Sequence, residues 1–229
     1  MKKYSLVLFC AGICIFSCAI AGYFLTRKIV TTPQDIAASQ NTTSSFSVPS
    51  GWITYSNNAY GFSISHPASL TPETTFSNNY HLSSSWRSGA FEEKTNGRAI
   101  IAFPVFRVEQ SNTYPRYFDG ELRVGASMDQ YDIQHCMDND QGSMDGEIAT
   151  KNINGIEFTA FPIHDAAMMQ SIKGVSYRAI RNGICFAMEA LVSQSNYRDD
   201  PITSSTLSDE TLDSYYKTIE AIAATFRFN

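Results

Sequence analysis

None of the short motifs that announce an enzyme is present in this chain of 229 residues. It has no Gly-x-Ser-x-Gly elbow, no Walker loop, no Gly-x-Gly-x-x-Gly behind a strand and no His-Glu-x-x-His. The best-known signatures of acyl transfer, nucleotide binding and zinc proteolysis are therefore excluded, and no catalytic residue and no cofactor is assigned. Histidine is scarce: His66, His81, His135 and His164 lie far apart, and such scattered histidines are ordinarily surface or hydrogen-bonded core residues. Basic charge is scarce too. Four of the 17 Lys and Arg residues (Lys2, Lys3, Arg27 and Lys28) sit near the N-terminus, whereas all 22 Asp and Glu lie beyond residue 30, so the rest of the chain is more acidic than the overall −5. Such a surface repels phosphate backbones, and no aromatic-basic stripe offsets it, so nucleic acid is not the expected partner.

Long apolar runs are missing everywhere but at the start. Residues 5–25 are almost wholly apolar between Lys2-Lys3 and Arg27-Lys28. About 20 residues at roughly 1.5 Å each can cross a hydrocarbon core. Three readings fit: an uncleaved signal anchor, a secretory signal cut after Ala19-Ile20-Ala21, or a lipoprotein signal with lipidation at Cys18. Each exports the rest of the chain. The expected address is the bacterial cell envelope, with the domain anchored at the inner membrane and facing the periplasm or outside, or else secreted. Residues 29–50, rich in Thr, Ser, Gln, Asn and Ala, read as a flexible stalk, and 51–229 as one domain.

Cys10, Cys14 and Cys18 lie within the apolar run and read as small apolar side chains. Only Cys136 and Cys185 remain. An even pair in an exported domain reads as a disulfide. The closed loop of about 50 residues would contribute about 4 kcal/mol in the chain-entropy model.

Trp52-Ile53-Thr54-Tyr55 and the alternating stretch from Tyr60 to His66, stopped by Pro67, predict a hairpin. A strand is expected near Tyr80 to Trp86. Residues 99–108 are apolar on both faces, which predicts a central strand; Pro104 argues for a bulge or an edge. Residues 121–126 predict another strand. Ser127-Met128-Asp129-Gln130 then reads as a capping box opening a short helix, with Ile133, Cys136 and Met137 on its inner face. Asn154-Gly155 and Asn182-Gly183 each sit between alternating runs and predict two hairpins with type I′ turns. On the last of these strands Cys185, Ala187, Glu189 and Leu191 point one way, and Ile184, Phe186, Met188 and Ala190 the other. A C-terminal helix is capped by Ser208 and stapled by Leu207 and Leu212. It buries Leu212, Tyr216, Ile219, Ala223 and Phe226 and runs into an extended tail.

Two stretches carry a resemblance. Trp52-x-x-Tyr55 … Tyr60-Gly61-Phe62-Ser63-Ile64-x-x-Pro67, and the ending Ile222-Ala223-Ala224-Thr225-Phe226-Arg227-Phe228, are similar to the opening and close of PsbP-like domains. The middle, Ser176-Tyr177-Arg178-Ala179 … Asn182-Gly183-x-Cys185-Phe186-Ala187-Met188-Glu189, resembles uncharacterised bacterial envelope proteins and lipoproteins. The resemblance implies an α/β (α+β) sandwich, an antiparallel sheet packed by helices. It brings no catalytic residues.

Two further segments are candidate sites. The acidic run from Asp138 to Glu147 places Asp138 and Asp140 at alternating positions, a loose arrangement of metal-ligating oxygens. Ser143 and Ala149 fall where a calcium loop of the EF-hand type needs Gly and Glu. Tyr114, Arg116 and Tyr117 form an aromatic and Arg cluster of the kind enriched at protein interfaces. The expected role is a tethered accessory or binding domain whose partner is an envelope protein. The alternatives are an extracytoplasmic enzyme with an unrecognised site and a small-ligand or ion carrier.

Overall fold

The computed structural model describes residues 48–76, 85–88, 95–110, 116–139, 147–167, 170–195 and 209–229. The chain begins with β1 (Trp52–Asn57) and β2 (Phe62–Pro67), then β3 (Arg98–Gln110) and β4 (Arg116–Ser127). A five-residue helix, α1 (Gln130–Gln134), is followed by β5 (Ala149–Ile153), β6 (Ile156–Ala167), β7 (Gln170–Arg181) and β8 (Ile184–Ser195). The long helix α2 (Asp209–Ala223) leads to a two-residue strand, β9 (Arg227–Phe228). Among the described residues the fold is sheet-dominated and antiparallel, with two helices. The strands form a three-stranded sheet in the order β1-β2-β9 and a six-stranded sheet in the order β3-β4-β8-β7-β6-β5.

The predicted hairpins are present. Strands β1 and β2 pair from Trp52↔Pro67 to Asn57↔Phe62. The turns of the two later hairpins carry positive φ at both central residues: 50° and 80° at Asn154-Gly155, 51° and 71° at Asn182-Gly183. Type I′ turns need this, and Asn and Gly tolerate it best. Strand alternation then sets the layers. Phe186, Met188, Ala190 and Val192 of β8, with Leu122, Val124 and Ala126 of β4, face the main core. Phe62 and Ile64 of β2 and Ile219, Ile222, Ala223 and Phe226 at the C-terminal end pack onto them. Phe226 is the hub: its ring stacks on Phe62 at 5.4 Å and meets Phe158 edge-on at 5.7 Å. Helix α2 packs the predicted stripe on the core, with Leu212 and Tyr216 half-buried and Phe226 just past its end; Ile222 and the half-buried Tyr215 join it, the latter stacked on Phe106 at 4.6 Å. The predicted cap Ser208 and staple residue Leu207 lie outside the described residues.

Four expectations need correction. Strand β3 is an edge strand, as Pro104 allowed, rather than the central one its two apolar faces suggested: both its faces are covered, but only β4 pairs with it along its length. The bulge expected at Pro104 is there, as a register shift between Pro104 and Phe106, with a second between Ala99 and Ile101. Glu73 closes part of the free edge through two backbone bonds with Ala102, which blocks further strand pairing there. The cap of α1 is Asp129, not Ser127: Asp129 has extended φ/ψ and accepts from the Tyr131 amide. Ser127 is still the last residue of β4, where its hydroxyl binds Asp132 at 2.5 Å. Met137 is 38% exposed, and the inner face of α1 carries the buried Asp132 in addition to Ile133 and Cys136. Of the strand expected near Tyr80 to Trp86, residues 80–84 lie outside the described residues, and Ser85 and Trp86 are not in a strand.

Candidate functional site

The second face of the six-stranded sheet is polar and yet buried. Cys185, Ala187, Glu189 and Leu191 point to it from β8, as the alternation predicted. Arg123 of β4 and Ser176 of β7 flank Glu189 in the cross-strand register, so Arg123, Glu189 and Ser176 form one row across three strands. Over this row lie two cover segments, residues 85–88 and α1 with its exit. Trp86 is 1% exposed and packs with Cys136, Cys185 and Ala187. Gly97 and Gly125 make room for it; a Cβ at Gly97 would run into its indole, and one at Gly125 into its backbone.

Polar groups tie the cover to the sheet. The Glu189 carboxylate, wholly buried, accepts from Ser88 Oγ at one oxygen and Ser176 Oγ at the other, both at 2.6 Å. Arg178 Nε donates to Ser176 Oγ at 3.0 Å. Its two terminal nitrogens reach both cover segments: Nη2 donates to the Ser88 carbonyl, and Nη1 to the carbonyls of Cys136 and Asp138. The guanidinium also lies 4.4 Å over the Phe161 ring. Arg123 donates to Glu121 at 2.8 Å and to the Ser85 carbonyl at 3.0 Å. Such a network is closed: each hydroxyl serves a carboxylate or a carbonyl inside the fold. It fixes the cover on the sheet.

The disulfide completes the cover. Cys136 at the exit of α1 is bonded to Cys185 of β8, with Cα atoms 5.8 Å apart and a sequence separation of 49. This bears out the expected pairing.

A charged row continues toward the edge at β3. Arg107 bridges Glu73 at 3.1 Å and Asp119 at 3.4 Å, and Asp119 and Glu121 are neighbours on one face of β4. Burial raises both carboxyl groups above their ordinary values, while Arg107 beside Asp119 and Arg123 beside Glu121 pull them down in part. On the core side, burial with the nearby charge of Glu220 pushes Tyr177 up to about 12 and Tyr216 in the same direction, so both phenols stay neutral. A separate groove of about 630 Å³ lies between Trp52 and α2, lined by Glu210, Asp213, Lys217 and Thr218 among others.

The other sequence candidates fare differently. Asp138 is exposed and pairs with His135 Nδ1 at 2.5 Å; Asp140 lies outside the described residues. Among the described residues no group of three or more His, Cys, Asp or Glu could hold a metal ion. His66 is buried, bonded to its neighbour's carbonyl and packed on Phe103. His164 and Asp165 are consecutive on β6, so their side chains leave opposite faces of the sheet. Arg116 and Tyr117 stand in β4, with side chains outside the described set; Tyr114, Cys18 and His81 lie outside it altogether. So do residues 5–25. Among the described residues no helix is long and apolar enough to cross a membrane. The Glu189 network was missed in the sequence because its members are ordinary strand residues. The only signal was Glu189 itself, placed by alternation on the same face as Cys185 and Leu191.

No protein-family model matches the chain. Nor does any curated protein match it.

Proposed function

We propose that this protein is an extracytoplasmic accessory domain, tethered or exported by residues 5–25, that acts by binding an envelope protein. The observation that carries the reading is the Cys136–Cys185 disulfide joining the exit of α1 to β8. Such bonds persist in oxidising compartments and are rare where thiols are kept reduced. The use of the buried polar face as an internal latch supports a non-catalytic role: its carboxylate and hydroxyls are engaged with one another. We further propose that the sheet-dominated fold is a PsbP-like α/β sandwich, which fits the same reading. The two stretches on which that resemblance rests, β1-β2 and the C-terminal segment, meet in one sheet through Phe62↔Phe228 and Ser63↔Arg227.

The test has two arms. A reporter that matures only outside the cytoplasm, fused after Asn229, should be active, and a reporter that works only in the cytoplasm should be inactive. Crosslinking in native membranes should then recover one discrete envelope protein in stoichiometric yield. An active cytoplasmic fusion sinks the address; a chain that stays uncrosslinked in its native membrane sinks the binding role.

A further inference from the structure

We propose that the segment Ser85-Trp86-Arg87-Ser88 is a gate on the Cys136–Cys185 disulfide: the bond forms before the segment closes and is exchanged only after it opens. This goes beyond the compartment reading and is tested on purified protein, so either can fail alone. Both cysteines are at 0% exposure. Strand β8 lies behind Cys185, with Ser127 of β4 and Ile180 of β7 as its register partners on either side. Cys136 follows the exit of α1, and Ile133 of that helix packs on the same cluster. Trp86 is the remaining large side chain of that cluster. It is held by its own indole N–H on Thr95 at 2.6 Å and by the bonds of Arg123 to Ser85, and of Arg178 and Glu189 to Ser88.

Thiol–disulfide exchange needs a thiolate in line with the S–S bond. In oxidation, one protein thiolate attacks an external disulfide and releases one thiolate; the second protein thiolate then attacks the mixed disulfide and releases the other. Reduction by a dithiol is the reverse, with two electrons passing from the dithiol to the protein. A mixed disulfide at Cys136 or Cys185 would occupy the space of the indole. The oxidant class that supplies this protein's bond, a disulfide-bearing oxidant, therefore acts on a chain in which Trp86 is not yet seated.

The experiment uses the full chain in detergent, with Cys10, Cys14 and Cys18 alkylated beforehand. Dithiothreitol is added without denaturant, and newly freed Cys136 and Cys185 are trapped and counted by mass spectrometry. The native bond should be reduced about a hundredfold more slowly than in urea, and Trp86→Ala should speed reduction about tenfold or more. Trp86→Phe, which keeps a ring in the site, serves if the alanine variant does not fold. Leu212→Ala on α2, compared at matched loss of stability, should leave the rate near the native one. The gate is overturned if native and urea-unfolded chains are reduced at similar rates, or if Leu212→Ala accelerates reduction as much as the Trp86 variants do.

Discussion

Glu189 is a carboxylate without solvent, and its surroundings explain how it is tolerated. A buried charge needs partners for both oxygens and a counter-charge nearby. Two serine hydroxyls supply the first; Arg178, which bonds to Ser176, and Arg123, its register partner, supply the second. Truncation should therefore cost far more than removal of one hydroxyl. Glu189→Ala is expected to destabilise the domain by about 3–5 kcal/mol, and Ser176→Ala by about 1–2 kcal/mol, read from urea midpoints at constant slope. Equal losses in the two variants would mean that the carboxylate is not the centre of the latch. Glu121 makes a different prediction, about pH. Burial raises its carboxyl group above the ordinary 4.5. A carboxyl group raised in the folded state contributes stability that is fully present below its unfolded value and is lost as pH rises through the folded one. Wild type should thus gain stability on acidification from neutral toward 4.5, and Glu121→Gln should gain less. Thermal midpoints across that range decide it; parallel curves for the two proteins would exclude Glu121 as the source.

At the scale of elements, the same dipeptide does two jobs. Both Asn-Gly turns reverse a hairpin, and both were legible because positive φ at two successive positions leaves few residue choices. Only Asn154 does more: its amide donates to the carbonyls of Ala224, at 2.8 Å, and Phe226, at 2.9 Å, just beyond the end of α2. No basic residue stands in the last turn of that helix, so the turn of another hairpin supplies the cap. Asn154→Gly keeps the turn and loses both bonds, so it should cost about 1–2 kcal/mol. Asn182→Gly keeps its turn too and should change stability by only a few tenths. Chemical denaturation of the pair tests this, and the idea fails if the two substitutions cost the same. The contrast also marks what a sequence can convey. Period-two alternation and turn chemistry are local, so strands, turns and the two faces of β8 could be read directly. The partner of a given face is not local. Nothing near Glu189 in sequence says that Ser88, 101 residues earlier, covers it, so its polarity would suggest solvent there. Strand β3 misled for a related reason: apolar residues on both faces report burial, and burial came from layers above and below rather than from a second neighbouring strand.

For the molecule as a whole, the opening hairpin and the last strand close on each other. Strand β9 pairs with β2, the Asn229 amide donates to the Gly61 carbonyl at 2.9 Å, and Thr225 exchanges hydrogen bonds with both backbone groups of Ser65. Contacts between segments 160 residues apart form late, because the cost of closing the intervening chain precedes their gain. The main core shares this dependence: Phe226 sits at its centre, and Phe228 packs against Phe186 at 4.9 Å and Phe226 at 5.2 Å. Removing residues 227–229 should spare Phe226 and the cap from Asn154 while deleting β9. The loss then comprises a half-buried aromatic ring, the backbone bonds to β2 and the Arg181 contact over Phe228, together about 3 kcal/mol. Phe228→Ala removes the ring and the Arg181 contact with it but keeps the backbone pairing, and should cost about 2 kcal/mol. The truncated chain should still fold, with β1 and β2 losing amide protection first in hydrogen exchange, since they would keep only each other as neighbours. If protection were instead lost uniformly across β4, β7 and β8, the three-stranded sheet would be part of one cooperative unit with the larger sheet, and its closure by the C-terminus would be a condition of folding rather than a local reinforcement.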